Sequence, residues 1–512
     1  MKSTHSCLKA CWREPSPWSS RLVIALTAAA LPILCIGGCR PRVDTAEAIP
    51  ISWTGAPATI ERMVADYLKT KVGAPTLLKP AHYAKPSPFF LYEGNDDAVT
   101  LALSARLGTS YPPVDVYFID LYWFSSFEPT WLESFQNRTI PIGDQNVELS
   151  QVIPADLRSA CELNNQLYAV PLSIRGNCLF YRADLIPSPP RTWAELVAVT
   201  RQALAQAGPD ATLRHGLRFH WNELHTDLYP VMWSYGGGPP NCLTAGGELD
   251  SPLASEPNLA ALAMFYGLIH HDKITEPLAQ IQARDLESEK TLYEGFARGE
   301  TLFLIDWSNR AARIESALAK SPSAAFAAGH IGIAPIPRAV ETKPAYSTIG
   351  SWGWVVSAAP RSPHSVDFVR EMATPDAQLF FFEKYSEIPI FERAVLVGLP
   401  QWPAIDRRLS EYHRQLLQLV HGDANSPGVV LRNRPGRKEI NRIALAALHD
   451  VLSLPPRGEA GALDLESARA RLARADLQII RHFQQLERLG IDCSCDAGPP
   501  ALHDAALESE TP

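Results

Sequence analysis

Apolar residues recur along the 512-residue chain with two different spacings, which predict alternating helices and strands. Helical spacing is clearest in three segments: ATIERMVADYLKTKVG (58–73), PPRTWAELVAVTRQALAQAG (189–208) and LDLESARARLARADLQIIRHFQQLERLG (463–490). The second of these segments opens with a capping box, formed by Thr192 and Glu195, and ends at Gly208.

Short runs of apolar residues predict strands between these helices. They are ISW (51–53), VDVYFID (114–120), LFYRADLI (179–186), TLFLID (301–306), GHIGIAPIP (329–337) and GWVVSAAP (353–360). A further helix is predicted after the last run, at SVDFVREMATPDAQLFFFEKY (365–385). Strands that alternate with helices are typical of α/β layers. A chain of this length predicts two or three compact units.

The first 38 residues have the layout of an export signal. A basic leader precedes LVIALTAAALPILCIGG (22–38), which is continuously apolar but short for a membrane span. Its end, IGGC, resembles a bacterial lipobox, in which the cysteine, here Cys39, is lipidated and becomes the mature N-terminus. We therefore expect a signal peptide at 1–38 and a tether at 39–50. An uncleaved anchor with an incidental cysteine is the alternative.

The charge balance argues against nucleic acid as a partner. The chain has 47 lysine and arginine residues against 55 aspartate and glutamate residues, a net charge of −8 at pH 7. Because phosphate contacts need a basic surface, an acidic protein of this kind binds nucleic acid poorly. After Gly490 the chain contains no lysine or arginine, and we expect an acidic, disordered tail at 491–512.

Nine cysteines are present, of which three lie in the leader and one is Cys39. The other five are Cys161, Cys178, Cys242, Cys493 and Cys495. None of them has the spacing to histidines that zinc sites require, and we expect no metal and no cofactor. An exported protein can oxidise one pair of cysteines. Cys161 with Cys178 is our candidate pair, and buried free thiols are the alternative.

A set of segments, taken in order, carries a family resemblance over residues 50–490. The segments are DVYFIDLYWFSSFEPTWLESF (115–135), NNQLYAVPLSIRGNCLFYRADLI (164–186), PPRTWAELV (189–197), GETLFLIDWSNRAARI (299–314), IGIAPIP (331–337), STIGSWGWVVSAAPRSPHSVDFVREM (347–372), EIPIFERAV (387–395) and RNRPGRKEINRIALAALHDVL (432–452). Together they resemble the family-one extracellular solute-binding proteins of carbohydrate ABC importers. IDLYW and GSWGW look closest to the trehalose and maltose binders.

The resemblance implies an α/β fold of two lobes with a ligand cleft between them, the class II type of periplasmic binding protein fold. The chain would cross between the lobes three times, near 173–175, near 350–352 and around 425–432. Residues 50–172 with 353–424 would form the N-terminal lobe. Residues 175–350 with 425–490 would form the C-terminal lobe.

The resemblance also implies a function. The chain would be a monomeric, lipid-anchored subunit that faces the periplasm or the cell exterior. It would bind a disaccharide or oligosaccharide by lobe closure and deliver it to ABC permease subunits, without enzymatic activity. One alternative is a lipid-anchored sugar-sensing subunit for a membrane receptor. Another is a secreted glycoside hydrolase, which needs two carboxylates roughly 5–10 Å apart.

Sugars present an apolar face and a rim of hydroxyls, so their sites combine aromatic surfaces with a few placed polar groups. In GSWGW, which the resemblance places at the second crossing, Trp352 is a candidate stacking surface. Ser351 is a candidate rim donor, and Gly350 is a place where ligand meets bare backbone. Trp354 is expected to pack in the core.

Two more candidates follow predicted strands. Trp307 stands where the family has a stacking aromatic, and core packing is its alternative. Asp306 and Arg310 flank Trp307, and a structural salt bridge between these two residues explains their presence equally well. Asp120 ends the strand VDVYFID, where α/β proteins bind ligands; a capping aspartate is the alternative.

The remaining acidic candidates come from two segments. Asp96 and Asp97, in EGNDD, match acidic or amide positions of the family, with a solvated helix start as the alternative. FHWNELHTDLYPVMWSYGGG (219–238) matches a family segment that offers a residue to the cleft. Trp221, Asn222 and Glu223 fit this role, and Glu223 fits it best.

Two arginines complete the candidate site. Arg175, in SIRGN, lies at the first crossing, where it would bind hydroxyls or an anionic substituent, or form an interlobe ion pair. Arg434, in RNRP, matches a family arginine near the cleft. His215, His220 and His225 are five residues apart, which does not align ligands on one helix face, so we expect no metal there.

Overall fold

The structure is a computed structural model that describes residues 53–54, 58–70, 115–121, 124, 127, 129–208, 211–287, 290–320, 330–358, 360, 363–391, 393–407, 411–421, 428–430, 436–458, 461–490 and 493–495. The predicted signal peptide and tether lie outside these residues, and so does the lipidation site at Cys39. Asp96, Asp97 and Arg434 lie outside them as well.

The strands, in chain order, are β1 (Trp53–Thr54), β2 (Val116–Asp120), β3 (Thr139–Ile142), β4 (Gln145–Glu148), β5 (Glu162–Leu163), β6 (Gln166–Leu167), β7 (Ala169–Pro171), β8 (Arg175–Arg182), β9 (His215–Arg218), β10 (Thr301–Trp307), β11 (Ile331–Ala334), β12 (Ser347–Gly350), β13 (Trp352–Val356) and β14 (Gly428–Val430).

The helices are α1 (Ala58–Thr70), α2 (Leu149–Val152), α3 (Ala155–Ser159), α4 (Trp193–Ala207), α5 (Leu224–Ser234), α6 (Glu256–His270), α7 (Leu278–Glu287), α8 (Lys290–Ala297), α9 (Ala311–Lys320), α10 (Ser365–Met372), α11 (Pro375–Tyr385), α12 (Arg393–Gly398), α13 (Trp402–Asp406), α14 (Glu411–His421), α15 (Arg437–Leu452) and α16 (Leu465–Arg488).

Capping side chains mark the first residues of two helices, α4 and α11. Before α4, the hydroxyl of Thr192 accepts a hydrogen bond from the backbone N–H of Glu195 at 3.2 Å, as the capping box predicts. The segment predicted as one helix at 365–385 forms two helices, α10 and α11. They separate because Thr374 caps α11 and Pro375, which suits a first helical position, begins it.

Two sheets organise the fold. The first has the strand order β1–β2–β13–β7, and β13 runs antiparallel to both of its neighbours. The second has the order β14–β12–β8–β10–β9, with β11 also paired to β8. The chain passes from the first sheet to the second between β7 and β8. It returns between β12 and β13, where Ser351 alone separates the two strands. Both passages lie where the resemblance predicted crossings.

The end of the predicted N-terminal lobe needs a correction. Residues 353–424 were assigned to that lobe, but α14 packs on the second sheet, against β8, β11 and β14. Val420 lies against Gly176 of β8, and Gln415 accepts a hydrogen bond from the backbone N–H of Ile333 at 3.2 Å. Helix α14 therefore contacts the second sheet, although it also packs against Phe382 of α11 through His413.

Large aromatic residues fill both cores. Trp354 is fully buried beneath the first sheet, with ring centroids 4.5 Å from Phe118 and 5.5 Å from Phe368. The prediction that Trp354 belongs to the core is confirmed. The second core joins Trp193 and Phe265 to apolar residues of α15 and α16. None of the helices in the described residues has the length and apolar character needed to cross a lipid bilayer.

The cysteines pair differently from the prediction. A disulfide joins Cys242 to Cys495. The candidate pair of Cys161 and Cys178 is wrong, because these residues are buried free thiols on opposite sides of the first crossing. Burial raises the pKa of both thiols, so both stay protonated at neutral pH.

The disulfide region also corrects the predicted disordered tail. Backbone hydrogen bonds run from Leu243 N–H to the carbonyl of Cys493, and from Cys495 N–H to the carbonyl of Leu243, both at 3.0 Å. Residues 493–495 are therefore ordered, although the sequence predicted disorder from 491. Residues 496–512 lie outside the part of the chain that the structure describes.

Candidate functional site

Strands β2 and β10 end beside the passage from β12 to β13. We call this place the crossing site and define it as Asp120, Glu223, Trp307 and residues 350–352. Contacts connect its members: Trp352 is the antiparallel partner of Asp120, and Leu121 N–H donates to the Ser351 carbonyl at 3.0 Å. The structure thus brings six of the predicted site residues together.

Gly350 leaves room for the indole of Trp307. A Cβ atom on Gly350 would lie 3.2 and 3.3 Å from two carbons of the six-membered ring. This is closer than the ordinary carbon–carbon contact of about 3.5–4.0 Å. The ring therefore lies directly on the glycine backbone, and Trp307 remains half-buried at the end of β10.

Glu223 fixes the edge of the same ring. Its Oε2 accepts a hydrogen bond from Nε1 of Trp307 at 2.9 Å. Glu223 is the residue before α5, where the helix dipole favours a carboxylate, and it is half-buried. The pair presents a half-buried aromatic ring with a carboxylate at its rim.

A buried polar network lies behind this pair. Nε2 of His220 is 3.0 Å from Oδ1 of Asp306, and Trp307 N–H donates to the same oxygen at 2.7 Å. The backbone N–H of His220 donates to Oδ2 of Asp227 at 2.9 Å. The side-chain amide of Asn177 donates to Oδ1 of Asp227 at 2.8 Å. All four polar side chains are buried.

The network shifts the pKa values of its members. Burial lowers the pKa of His220, but the adjacent Asp306 carboxylate outweighs it and raises the pKa to about 10. Burial raises the pKa of Asp227 to about 7, against the opposing effect of His220. Burial also acts to raise the pKa of Asp306, but His220 and Arg310 lower it overall. Arg310 Nε lies 3.5 Å from Asp306 Oδ1, so the predicted salt bridge is present.

The other aromatic candidate lies at the margin of the first core. The ring of Trp352 stacks on Phe118 with centroids 5.5 Å apart and planes 22° apart, and it is half-buried. Ser351, in contrast, is buried, and its hydroxyl donates to the carbonyl of Ser173 at 2.5 Å. This contact joins the two crossings and accounts for Ser351 without a ligand.

Arg175 forms an ion pair with Glu387. Its Nε lies 3.2 Å from Oε2 and its Nη2 lies 3.0 Å from Oε1. Ser173 also donates to Oε2, at 2.5 Å, and the Asn309 amide lies 3.5 Å from Oε1. The Arg175 and Glu387 side chains are 13% and 7% exposed. The structure therefore favours the ion pair, the alternative account of Arg175, over direct ligand contact.

Trp221 and Asn222 diverge from Glu223. Trp221 is buried and stacks on His449 of α15, with ring centroids 4.2 Å apart and planes 8° apart. Nε2 of His449 also contacts the Trp221 carbonyl at 2.7 Å. Asn222 is exposed. Of the three candidates in this segment, Glu223 reaches the crossing site and Trp221 packs in the core.

Among the described residues, one group of side chains has the spacing to hold a metal ion: Cys242, Asp250 and Cys495. Its two sulfur atoms form the disulfide, and a metal site needs thiolates. The carboxylate of Asp250 instead accepts from the backbone N–H groups of Asn241 and Cys242. This group is therefore structural.

Sequence reasoning missed two contributors to the region. His220 stood out only as a possible metal ligand, whereas its partner is the carboxylate of Asp306. Glu387 lies 212 residues from Arg175, and no local pattern connects the two. The sequence did contain one signal for the His220 contact, because its partner Asp306 directly precedes the predicted site residue Trp307.

Solved structures of other proteins share this fold. Maltose-bound MalE3 of T. maritima matches with a TM-score of 0.61 and 20% identity, over 84% of this chain and 100% of that chain. The sugar-binding protein MalE from Xanthomonas citri matches with 0.59 and 17%, over 86% and 99%. UgpB from Mycobacterium tuberculosis, in complex with glycerophosphocholine, matches with 0.59 and 18%, over 85% and 99%. The chain therefore has the mixed α/β fold of these two-lobed proteins, as predicted.

Sequence comparison identifies the family. The family model of the bacterial extracellular solute-binding proteins matches residues 91–405, more than half of the chain. The chain belongs to this family, which confirms the predicted resemblance. Its relatives are binding proteins rather than enzymes.

Proposed function

We propose that this chain is the solute-binding subunit of an ABC importer for carbohydrates, and that it binds a disaccharide or oligosaccharide at the crossing site. The observation that carries the proposal is the indole of Trp307, which lies on Gly350 and has Glu223 at its edge. An aromatic ring suits the apolar face of a sugar, and the second oxygen of Glu223 suits a hydroxyl. Proteins that share the fold include one with bound maltose.

We assign ligand contact first to Trp307, Glu223, Gly350, Trp352 and Asp120, which the structure brings together. Asn222, Asp96, Asp97 and Arg434 remain candidates on the resemblance alone. Ser351, Arg175 and Trp221 have partners within the protein, and we assign them supporting roles beside the crossings and in the core.

Lobe closure is the proposed mechanism of binding. Ligand would bridge the two lobes and favour the closed form through contacts that exist only there. We keep the predicted lobes, except that residues 411–421 move to the C-terminal lobe with α14. The ABC permease would then recognise the closed form. No catalytic step and no cofactor are part of this mechanism.

The chain is proposed to be exported and anchored by lipid on Cys39. The Cys242–Cys495 disulfide supports an oxidising compartment, because such bonds persist mainly outside the cytosol. In cells that express the full chain and are fed a labelled fatty acid, the wild-type protein should carry the label and Cys39→Ala should not. Absence of the label from the wild-type protein would contradict the lipid anchor and favour an uncleaved span.

The sugar assignment is tested by calorimetric titration with maltose, trehalose, larger malto-oligosaccharides, and phosphorylated and acidic sugars. Trp307→Ala should weaken binding by about tenfold or more, the loss of one stacking and hydrogen-bonding group. Trp402→Ala, which removes a half-buried tryptophan on α13, is the control and should bind normally. No signal from wild type with any sugar would refute the carbohydrate proposal. Equal affinity of Trp307→Ala and wild type would remove Trp307 from the site.

A further inference from the structure

Contacts to two other elements hold the segment that carries Glu223. His220 contacts Asp306 at the end of β10, and Glu223 contacts the next residue of that strand, Trp307. Between them, Trp221 stacks on α15. His220 and Glu223 thus contact consecutive residues of β10, one in the buried interior and one at the crossing site.

The interior contact belongs to a closed ring of interactions. Trp307 pairs in β-sheet register with Asn177 of β8. Asn177 donates to Asp227 of α5, and Asp227 accepts from the backbone of His220. His220 contacts Asp306, which accepts from the Trp307 N–H and so closes the ring. The ring joins the end of β10, its partner strand and the start of α5.

This closed set of contacts connects the two side chains to which we assign ligand contact, Trp307 and Glu223. If the side chain of His220 no longer reached Asp306, the segment between β9 and α5 would lose one of its contacts to the end of β10 and keep the one made by Glu223. The indole Nε1 of Trp307 would then rely on a hydrogen bond at 2.9 Å from a half-buried carboxylate whose own segment is less constrained. Supporting contacts of this kind hold functional side chains within the narrow tolerance that binding needs.

We propose that His220 is a positioning residue, which through Asp306 holds Trp307 and Glu223 in the arrangement that receives the ligand. This role rests on the proposed function for its biological meaning, but the geometry can be tested without a ligand. The titratable groups that face His220 are Asp306, Asp227 and Glu223, and Arg310 approaches Asp306. Because the pKa of His220 is raised, its imidazole is charged at neutral pH and the contact to Asp306 is an ion pair.

The experiment compares His220→Leu, His220→Gln and Tyr266→Phe in the full-length protein. Leucine removes the polar contact, whereas glutamine can donate to Asp306 from an atom close to the position of Nε2. Tyr266→Phe is the control, because it removes a buried hydrogen bond at 2.8 Å to the Leu454 carbonyl elsewhere in the second core. All three variants are expected to lower the unfolding midpoint, so stability alone does not decide the outcome.

The first measurement uses no ligand. The protein is labelled with 5-fluorotryptophan, and the ¹⁹F resonance of Trp307 is assigned by its loss in Trp307→Phe. We expect the resonance to shift or broaden in His220→Leu, to return towards wild type in His220→Gln, and to stay in place in Tyr266→Phe. An unchanged Trp307 resonance in His220→Leu overturns the proposal.

The second measurement is calorimetric titration of the same variants with maltose and trehalose. Loss of the charged contact between His220 and the Asp306 carboxylate predicts about tenfold or weaker affinity for His220→Leu. His220→Gln should recover most of the lost affinity, and Tyr266→Phe should bind both sugars with wild-type affinity. Wild-type affinity in His220→Leu also overturns the proposal. If wild type binds no sugar, the proposed function fails, and the fluorine measurement alone decides the positioning role.

Discussion

The ion pair between Arg175 and Glu387 gives a sharp prediction about stability at the first crossing. The Glu387 carboxylate accepts hydrogen bonds from Ser173 and from two nitrogens of Arg175, and both charged side chains are largely buried. Glu387→Ala would leave the Arg175 guanidinium buried without its counter-charge. Breaking a buried pair in this way costs about 3–5 kcal/mol.

Two further variants separate the free-energy cost of a lone buried charge from the net contribution of the ion pair between Arg175 and Glu387. Arg175→Met with Glu387→Leu removes both charges and fills the space with apolar atoms. Such replacements are often neutral or stabilising, so we expect the double variant to lie within about 1 kcal/mol of wild type. The stability of Arg175→Met alone should lie between those of Glu387→Ala and the double variant, because Glu387 keeps the hydrogen-bond donors of Ser173 and Asn309.

The assay is equilibrium unfolding in urea, followed by tryptophan fluorescence and by far-ultraviolet circular dichroism. Fluorescence and dichroism are compared because two lobes can unfold in separate steps. The reasoning is refuted if Glu387→Ala loses less than about 1 kcal/mol. It is also refuted if the double variant is as unstable as Glu387→Ala, since the loss would then come from the shape of the crossing and not from charge.

Two other outcomes are expected. The pKa of His220 is about 10 in the folded protein, above its ordinary value, so its stabilising effect is complete below about pH 6.5 and is lost as pH rises through 10. The difference in unfolding free energy between wild type and His220→Gln should therefore shrink from pH 8 to pH 10, by up to about 1.4 kcal/mol per pH unit. Urea unfolding at several pH values measures this difference. A difference that stays constant with pH would contradict a charged imidazole. The disulfide between Cys242 and Cys495 spans 253 residues, for which the chain-entropy model gives about 5.5 kcal/mol. Reduction, or Cys242→Ser with Cys495→Ser, should lower the unfolding midpoint, and equal midpoints with and without reductant would contradict this role.

The elements and the family could be predicted because their signals are local or repeated along the chain. Periodicity located α4 and α16, and the capping chemistry of Thr192 set the start of α4. The glycines of GSWGW indicated close backbone approach, and Gly350 does lie against an indole ring. Trp354 was assigned to the core, and it is fully buried.

The partners of the site residues could not be predicted, because each lies far away in sequence. For Arg175 both ligand contact and an interlobe ion pair were open, and nothing in the sequence named the counter-ion, because Glu387 is 212 residues further on. Ser351 was expected at the rim, but a carbonyl from the other crossing takes its hydroxyl. The spacing of cysteines does not determine their connectivity, and the candidate pair of Cys161 and Cys178 was wrong.

The position of Cys495 in the chain has a consequence for how the protein is made. Synthesis begins at the N-terminus, so Cys242 waits for its partner while the next 253 residues are added. At about 5–20 residues per second this wait lasts roughly 10 to 50 s. Cys161 and Cys178 are already present during that time and would compete for the same thiol. Both thiols are buried in the folded protein, where they cannot compete with Cys495 for Cys242.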